Sequence, residues 1–109
     1  MDTDALSAVF GALADPTRRA ILSRLKHGPR TVGELSTPFK ISKPAISQHL
    51  KVLRESGFAS VRVDGRRRIY AVEPGPLKAA DEWFDTFRGF WAQRLDALGT
   101  ELARGRRQP

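Results

Sequence analysis

The stretch I-S-K-P-A-I-S-Q-H-L-K-V-L-R-E-S-G, Ile41 to Gly57, decides how this chain is read. It has the punctuation of one helix. Ser42 is a good N-cap, because its hydroxyl can accept from a free amide of the first turn. Pro44 falls inside that turn, where a missing N–H costs nothing. Gly57 supplies the left-handed residue that closes a helix. Between these ends Ile46, Leu50 and Leu53 recur at i, i+4 and i+7, which predicts a buried stripe. Pro44, Ser47, Gln48 and Lys51 share the opposite face, and no carboxylate occurs in the stretch before Glu55. A carboxylate there would repel phosphate, whereas Ser, Gln and Lys can donate to phosphates and base edges. The pattern predicts a helix that reads double-stranded DNA.

The segments on either side fit this reading. Upstream, Leu6, Val9, Phe10 and Leu13 give a first helix over about 4–13. Asp15-Pro16 starts a second, with Asp15 as N-cap and Pro16 in the first helical position, burying Ile21, Leu22 and Leu25. Thr31-Val-Gly-Glu34 is a capping box that opens a short third helix through about Thr37. A short capped helix, a turn over 38–41 and a longer helix with a polar face make a helix-turn-helix. Downstream, the β-prone runs Phe58–Val63 and Arg67–Val72 flank Asp64-Gly65, a two-residue hairpin signal. A tight turn there sets Val61 opposite Arg68 rather than Ile69, so the expected register is not clean and a loop longer than two residues stays open. Arg66, Arg67 and Arg68 crowd the tip, as in a β wing lying along a phosphate backbone. Tyr70 is expected in the core with its hydroxyl at the rim.

After Glu73-Pro-Gly-Pro76 a last helix is expected over 76–103. Trp83, Phe87, Trp91, Leu95, Leu98 and Leu102 trace one seam along it, widened by Phe84 and Phe90. A small domain can cover only part of so long a helix, so the rest of the apolar band predicts a partner. Leu6 and Phe10 of the first helix are its expected co-contributors. The chain thus reads as a single domain over 1–103 with dimerisation helices at both ends, followed by a disordered basic tail at 104–109.

Composition narrows the function further. The 109 residues contain no cysteine and carry a net charge of +7. The lack of cysteine rules out disulfides and thiolate metal sites and fits a cytoplasmic protein. No apolar run is long enough to span a bilayer, and the acidic start at Met1-Asp2 is no signal peptide. The positive charge is concentrated in residues 16–73, with 13 Lys and Arg against four Asp and Glu, which suits a polyanion partner. Catalysis is not indicated. Ser47 and His49 diverge at i, i+2 on a helix, and no Gly-rich phosphate loop or paired carboxylates accompany them. No cofactor is called for.

In order and size these elements resemble the ArsR family of bacterial winged-helix repressors. The residues that carry the resemblance are F-G-A-L-A-D-P-T-R-R-A-I-L at Phe10–Leu22, I-S-K-P-A-I-S-Q-H-L-K-V-L at Ile41–Leu53 and D-G-R-R-R-I-Y at Asp64–Tyr70. The implied fold is mainly α with a small β-hairpin wing. The implied function is that of a homodimeric repressor, binding a short inverted repeat, often before its own operon. DNA roles then fall on Ser42, Lys43, Pro44, Ser47, Gln48, His49 and Lys51 in the helix and on Arg66, Arg67 and Arg68 in the wing. By their charge Lys43, Lys51 and Arg54 suit phosphates better than bases. His49 lies about 100° round from Gln48, towards Ala45 and Val52, which leaves local packing and base contact both open.

The family's metal-sensing sites do not carry over. Their Cys-containing motif is replaced here by V-G-E-L-S-T-P-F with Ser36, and the last helix has no histidine. His27 and His49 sit in different elements, whereas zinc needs three or four clustered ligands. The run W-F-D-T-F-R-G-F-W-A-Q-R-L-D-A-L resembles a metal-independent branch. Its aromatic cluster, Trp83 to Trp91, reads as dimer core, with a pocket for a small apolar inducer as the sharper alternative. A rival reading of the whole chain is a protein-interaction module that uses the aromatic helix and binds nucleic acid only non-specifically.

Overall fold

A computed structural model of the protein describes residues 3–107. Met1, Asp2, Gln108 and Pro109 of the acidic start and basic tail lie outside the described residues, as does the Leu102 side chain. The elements follow in the order α1 (Thr3–Leu13), α2 (Pro16–Leu25), β1 (Arg30–Thr31), α3 (Val32–Ser36), α4 (Lys43–Glu55), β2 (Ala59–Asp64), β3 (Arg67–Val72) and α5 (Gly75–Arg107). This is a mainly helical winged helix-turn-helix with a three-stranded antiparallel sheet in the order β1-β3-β2.

Local chemistry sets the helix ends. Asp15 caps α2, its carboxylate accepting from the Arg18 amide at 2.9 Å. Thr31 and Glu34 form the reciprocal capping box of α3. The Ser42 hydroxyl accepts from the Ala45 amide at 3.3 Å to open α4. At the far end of α4 the Gly57 amide donates to Arg54 and the Phe58 amide donates to Leu53, at 3.0 and 2.8 Å. That is a Schellman closure, and Gly57 supplies the positive φ of +84° it requires. The closure drops Phe58 into the core beside Leu53, both fully buried.

The core is one cluster. Ile21 and Leu25 of α2, Leu35 of α3, and Ile46, Leu50 and Leu53 of α4 meet around Phe58 and Tyr70. From α1 the buried residues are Val9 and Ala12, while Phe10 and Leu13 pack at the edge. Leu6, expected on the same face, is half-buried.

Three expectations need correction. The hairpin loop is two residues long but shifted by one. Asp64 pairs with Arg67, so the loop is Gly65-Arg66 rather than Asp64-Gly65. Gly65 has φ of +64° and Arg66 does not turn positive, the sign pattern of a type II′ turn with glycine first. The shift puts Val61 opposite Tyr70 and clears the awkward register. Next, β1 was not expected. Two residues carry no periodic signal, and this strand exists because Arg30 and Thr31 pair with Tyr70 and Ile69 on the free edge of β3. Finally, α5 starts at Gly75 and continues beyond residue 103 to Arg107, so residues 104–107 belong to the helix.

The shape follows from α5. Its 33 residues span about 50 Å, and beyond Ala80 every residue from 81 to 100 is exposed. The radius of gyration is accordingly 18.9 Å, against about 13 Å for a compact chain of this size. The helix leaves the body as a rod. Among the described residues no helix is long and apolar enough to cross a membrane.

Two capping carboxylates make stability depend on pH. Amide donation from Arg18 holds Asp15 below the ordinary carboxylate range, and donation from the Thr31 amide and then its hydroxyl does the same for Glu34. Groups depressed in the folded state stabilise it fully above their unfolded values, about 4. That contribution is lost as the pH falls through the folded values. Thermal unfolding should therefore shift down as the pH drops below about 4, and Glu34→Gln should flatten part of that dependence. An identical acid limb in Glu34→Gln would remove its carboxylate from the account.

Candidate nucleic-acid interface

The buried stripe of α4 turns the other side of the helix outward, next to the wing. A groove of about 400 Å³ runs between them, lined by Pro44, Ser47, Gln48, Lys51 and Arg54 from α4, Arg68 and Tyr70 from β3, and Val32 from α3. A neighbouring hollow of about 440 Å³ is lined by Lys43, Arg66, Arg67 and Arg68 with Thr31, Val32 and Gly33. Val32 and Arg68 border both, so the two form one concave surface with five cationic residues from α4 and β3 and a sixth, Arg66, from the wing loop. No carboxylate lines either hollow. Of the residues expected to touch DNA, nine line this surface. Ser42 sits at the mouth of α4 with its hydroxyl engaged as the cap.

His49 is placed apart. Its Nδ1 lies 3.9 Å from an Asp15 oxygen, and its side chain is 23% exposed. At about 100° per residue it points roughly 150° away from the middle of the groove-facing side of α4. The lining from Thr31, Val32 and Gly33, and from the ring of Tyr70, was not anticipated as part of the site. Val32 and Tyr70 look like core by composition, and only the pairing of β1 with β3 brings them to the groove wall.

The three wing arginines differ. Arg68 pairs with Val63 on the strand face that also carries Tyr70, turned towards α4. Arg67 lies on the other face, and its guanidinium donates to Asp64 at 3.2 Å. Arg66 occupies the loop. Other arginines of the basic middle segment are spent inside the fold. Arg18 donates to the Ala12 and Gly11 carbonyls at 2.8 and 3.0 Å, and Arg19 to Leu13 at 2.6 Å, closing the C-terminus of α1. The charge available to a partner is thus gathered on α4 and the wing more sharply than a count along the chain conveys. Arg68→Ala should weaken binding to every duplex sequence alike and lower the salt slope by about 0.9. Arg67→Ala should do less, because Asp64 already offsets its charge. Titrations against salt check this, and a larger loss in Arg67→Ala would reverse the assignment.

A second surface, on α1 and α5, is rich in aromatic side chains. Phe10 of α1 meets Trp83 and Phe84 of α5 edge-on, with ring centroids 5.6 and 5.9 Å apart. Trp83, Phe84, Phe87, Phe90, Trp91, Leu95 and Leu98 are all exposed along the rod. An Arg94 guanidinium lies 4.3 Å over the Phe90 ring. Among the described residues no group of three or more His, Cys, Asp and Glu side chains is placed to hold a metal ion.

A capped helix-turn-helix whose second helix and flanking wing share a carboxylate-free cationic groove defines a winged-helix DNA-binding regulator. The family model described as "Bacterial regulatory protein, arsR family" matches residues 15–61, from the cap of α2 into β2. The HTH-type transcriptional regulator Rv2034 of Mycobacterium tuberculosis is 48% identical over 94 residues, covering 83% of this chain and 88% of the relative. The transcriptional repressor SdpR of Bacillus subtilis is 38% identical over 82 residues, covering 75% and 91%. A crystal structure of an ArsR family transcriptional regulator, RHA00566, superposes with a TM-score of 0.78 at 39% identity, covering 84% of this chain and 95% of that one. The chain belongs to the ArsR family of bacterial transcriptional regulators, which are DNA-binding proteins and not enzymes.

Proposed function

We propose that the protein acts as a homodimer that binds a short inverted repeat in double-stranded DNA and represses transcription. The observation that carries this reading is the separation of two surfaces. A cationic, acid-free groove lies between α4 and the wing, and a bare aromatic band runs along α5. Soluble monomers rarely leave so continuous an apolar band to water. A second copy covers it with the same band, as an isologous contact requires. A wholly apolar hollow of about 260 Å³ among Trp83, Phe84, Phe87 and Trp91 suits the partner's side chains. In that pairing α1 and α5 are the dimerisation elements and the segment between them is the DNA-binding unit. The two copies of α4 would sit about 34–36 Å apart, one turn of duplex, each entering a major groove.

In each half, Ser47 and Gln48 serve as base readers, while Lys43, Lys51, Arg54, Arg66, Arg67 and Arg68 hold phosphates. Gln48→Ala should cost about 1–3 kcal/mol at one base pair and relax preference there. Footprinting and selection with the variant check this, and an unchanged preference would remove Gln48 from base reading. Selection of duplexes from a random library, with light scattering on the purified protein, tests the function as a whole. An enriched palindrome and a dimer are expected. A monomer with no preference between that palindrome and scrambled duplex would favour the interaction-module reading, in which the rod binds a different polypeptide.

A further inference from the structure

His49 belongs to α4 but not to its groove, and its surroundings give it a different task. Its imidazole Nδ1 lies 3.9 Å from the Asp15 carboxylate, an ion-pair distance rather than a direct hydrogen bond. The same carboxylate accepts from the Arg18 amide at 2.9 Å. The Arg18 side chain in turn grips the last carbonyls of α1, at Ala12 and Gly11. The small residues Ala8, Gly11 and Ala12 of α1 also face Val52 and Ser56 on the same flank of α4. One residue from Gly11, Phe10 rests edge-on against Trp83 and Phe84 of the rod. A continuous set of contacts thus joins the aromatic rod to the side of α4 that faces away from the groove.

We propose that His49 is a positioning residue and not a base reader: with Asp15 and Arg18 it clamps the inner flank of α4 to the α1–α2 junction, setting the tilt of the recognition helix against the rod. The inference rests on reading α4 as the recognition helix. Its consequence is that Asp15 and His49 act on DNA binding as a unit, and neither touches a base.

The test is a double-mutant cycle with His49→Ala, Asp15→Asn and the pair, on a palindromic duplex enriched from a random library. Asparagine is as good an N-cap as aspartate, so Asp15→Asn keeps α2 capped and removes only the charge. Each single variant should bind about 3- to 10-fold more weakly, and the double variant no more weakly than either single. The preferred base at every position and the salt slope should stay as in the parent. A changed base preference in His49→Ala, a salt slope reduced by one contact, or effects that simply multiply in the double variant would each overturn the proposal. Amide exchange in the free protein supplies a readout independent of DNA. In both single variants exchange across Ser47 to Val52 should quicken several-fold relative to α5. Unchanged exchange in both would end the inference even if the duplex selection succeeds. Should the parent protein fail to discriminate duplexes, the DNA-binding reading falls, and the exchange result still decides the clamp.

Discussion

Trp91→Asp should leave the protein monomeric and lower its affinity for a palindromic operator by about 100-fold or more. Trp91 is 45% exposed on the single chain, with Leu95 and Leu98 following it along the same exposed band. It touches nothing in the core, so the body of the fold has no reason to change. In the proposed dimer the same indole is covered, and a carboxylate there would be desolvated without a counter-ion, a strongly unfavourable burial. Two half-sites held on one dimer gain from effective concentration, and a monomer forfeits that gain without losing any contact to bases. The signature is therefore specific. Light scattering reports half the mass, circular dichroism is unchanged, and the affinity for a single half-site is preserved. A variant that stays dimeric would take this helix out of the interface.

Phe58→Ala should be the most destabilising single truncation, by about 3–5 kcal/mol. The ring is fully buried and is among the largest such side chains in the protein. It closes α4 through its amide to Leu53 and accepts at its carbonyl from the Glu73 amide at 2.8 Å, just before α5. Truncation leaves a cavity in the shared core of α4 and the sheet. Since small domains are stable by only about 5–15 kcal/mol, a large share of the total is lost. The midpoint of thermal unfolding should fall by about 15 °C or more at matched protein concentration. Phe90→Ala is the control. That ring is 60% exposed, so its loss should weaken dimerisation while leaving the fold of each chain intact. A fall of only a few degrees in Phe58→Ala would contradict the packing described for the core.

Much of this architecture is legible in the residues because each helix announces its own ends. Asp15, Thr31, Ser42 and Gly57 do locally what they do in the folded chain. Ile46, Leu50 and Leu53 are buried as their spacing requires. What escapes a linear reading depends on neighbours far along the chain. β1 exists only through its pairing with β3, so nothing in Arg30-Thr31 betrays it. The hairpin loop slips by one residue because the pairing of Val61 with Tyr70 outweighs the local preference for Asp64-Gly65. In the sequence His49 is open to both local packing and base contact until Asp15, in another helix, is seen beside it. The arginines following Asp15 read as free charge, yet two of them are occupied with carbonyls of α1. Nothing local distinguishes a solvated guanidinium from a capping one.

Thr31 has two attachments: it pairs with Ile69 in the sheet and it caps α3 through Glu34. Through Thr31 the wing is tied to α3, which shares its core with α4, so wing and reading helix form a single jig. In the proposed complex, the stride from the bases under Gln48 to the phosphates under Arg68 would have one length within each half-site, and an inserted base pair there should put the two out of step.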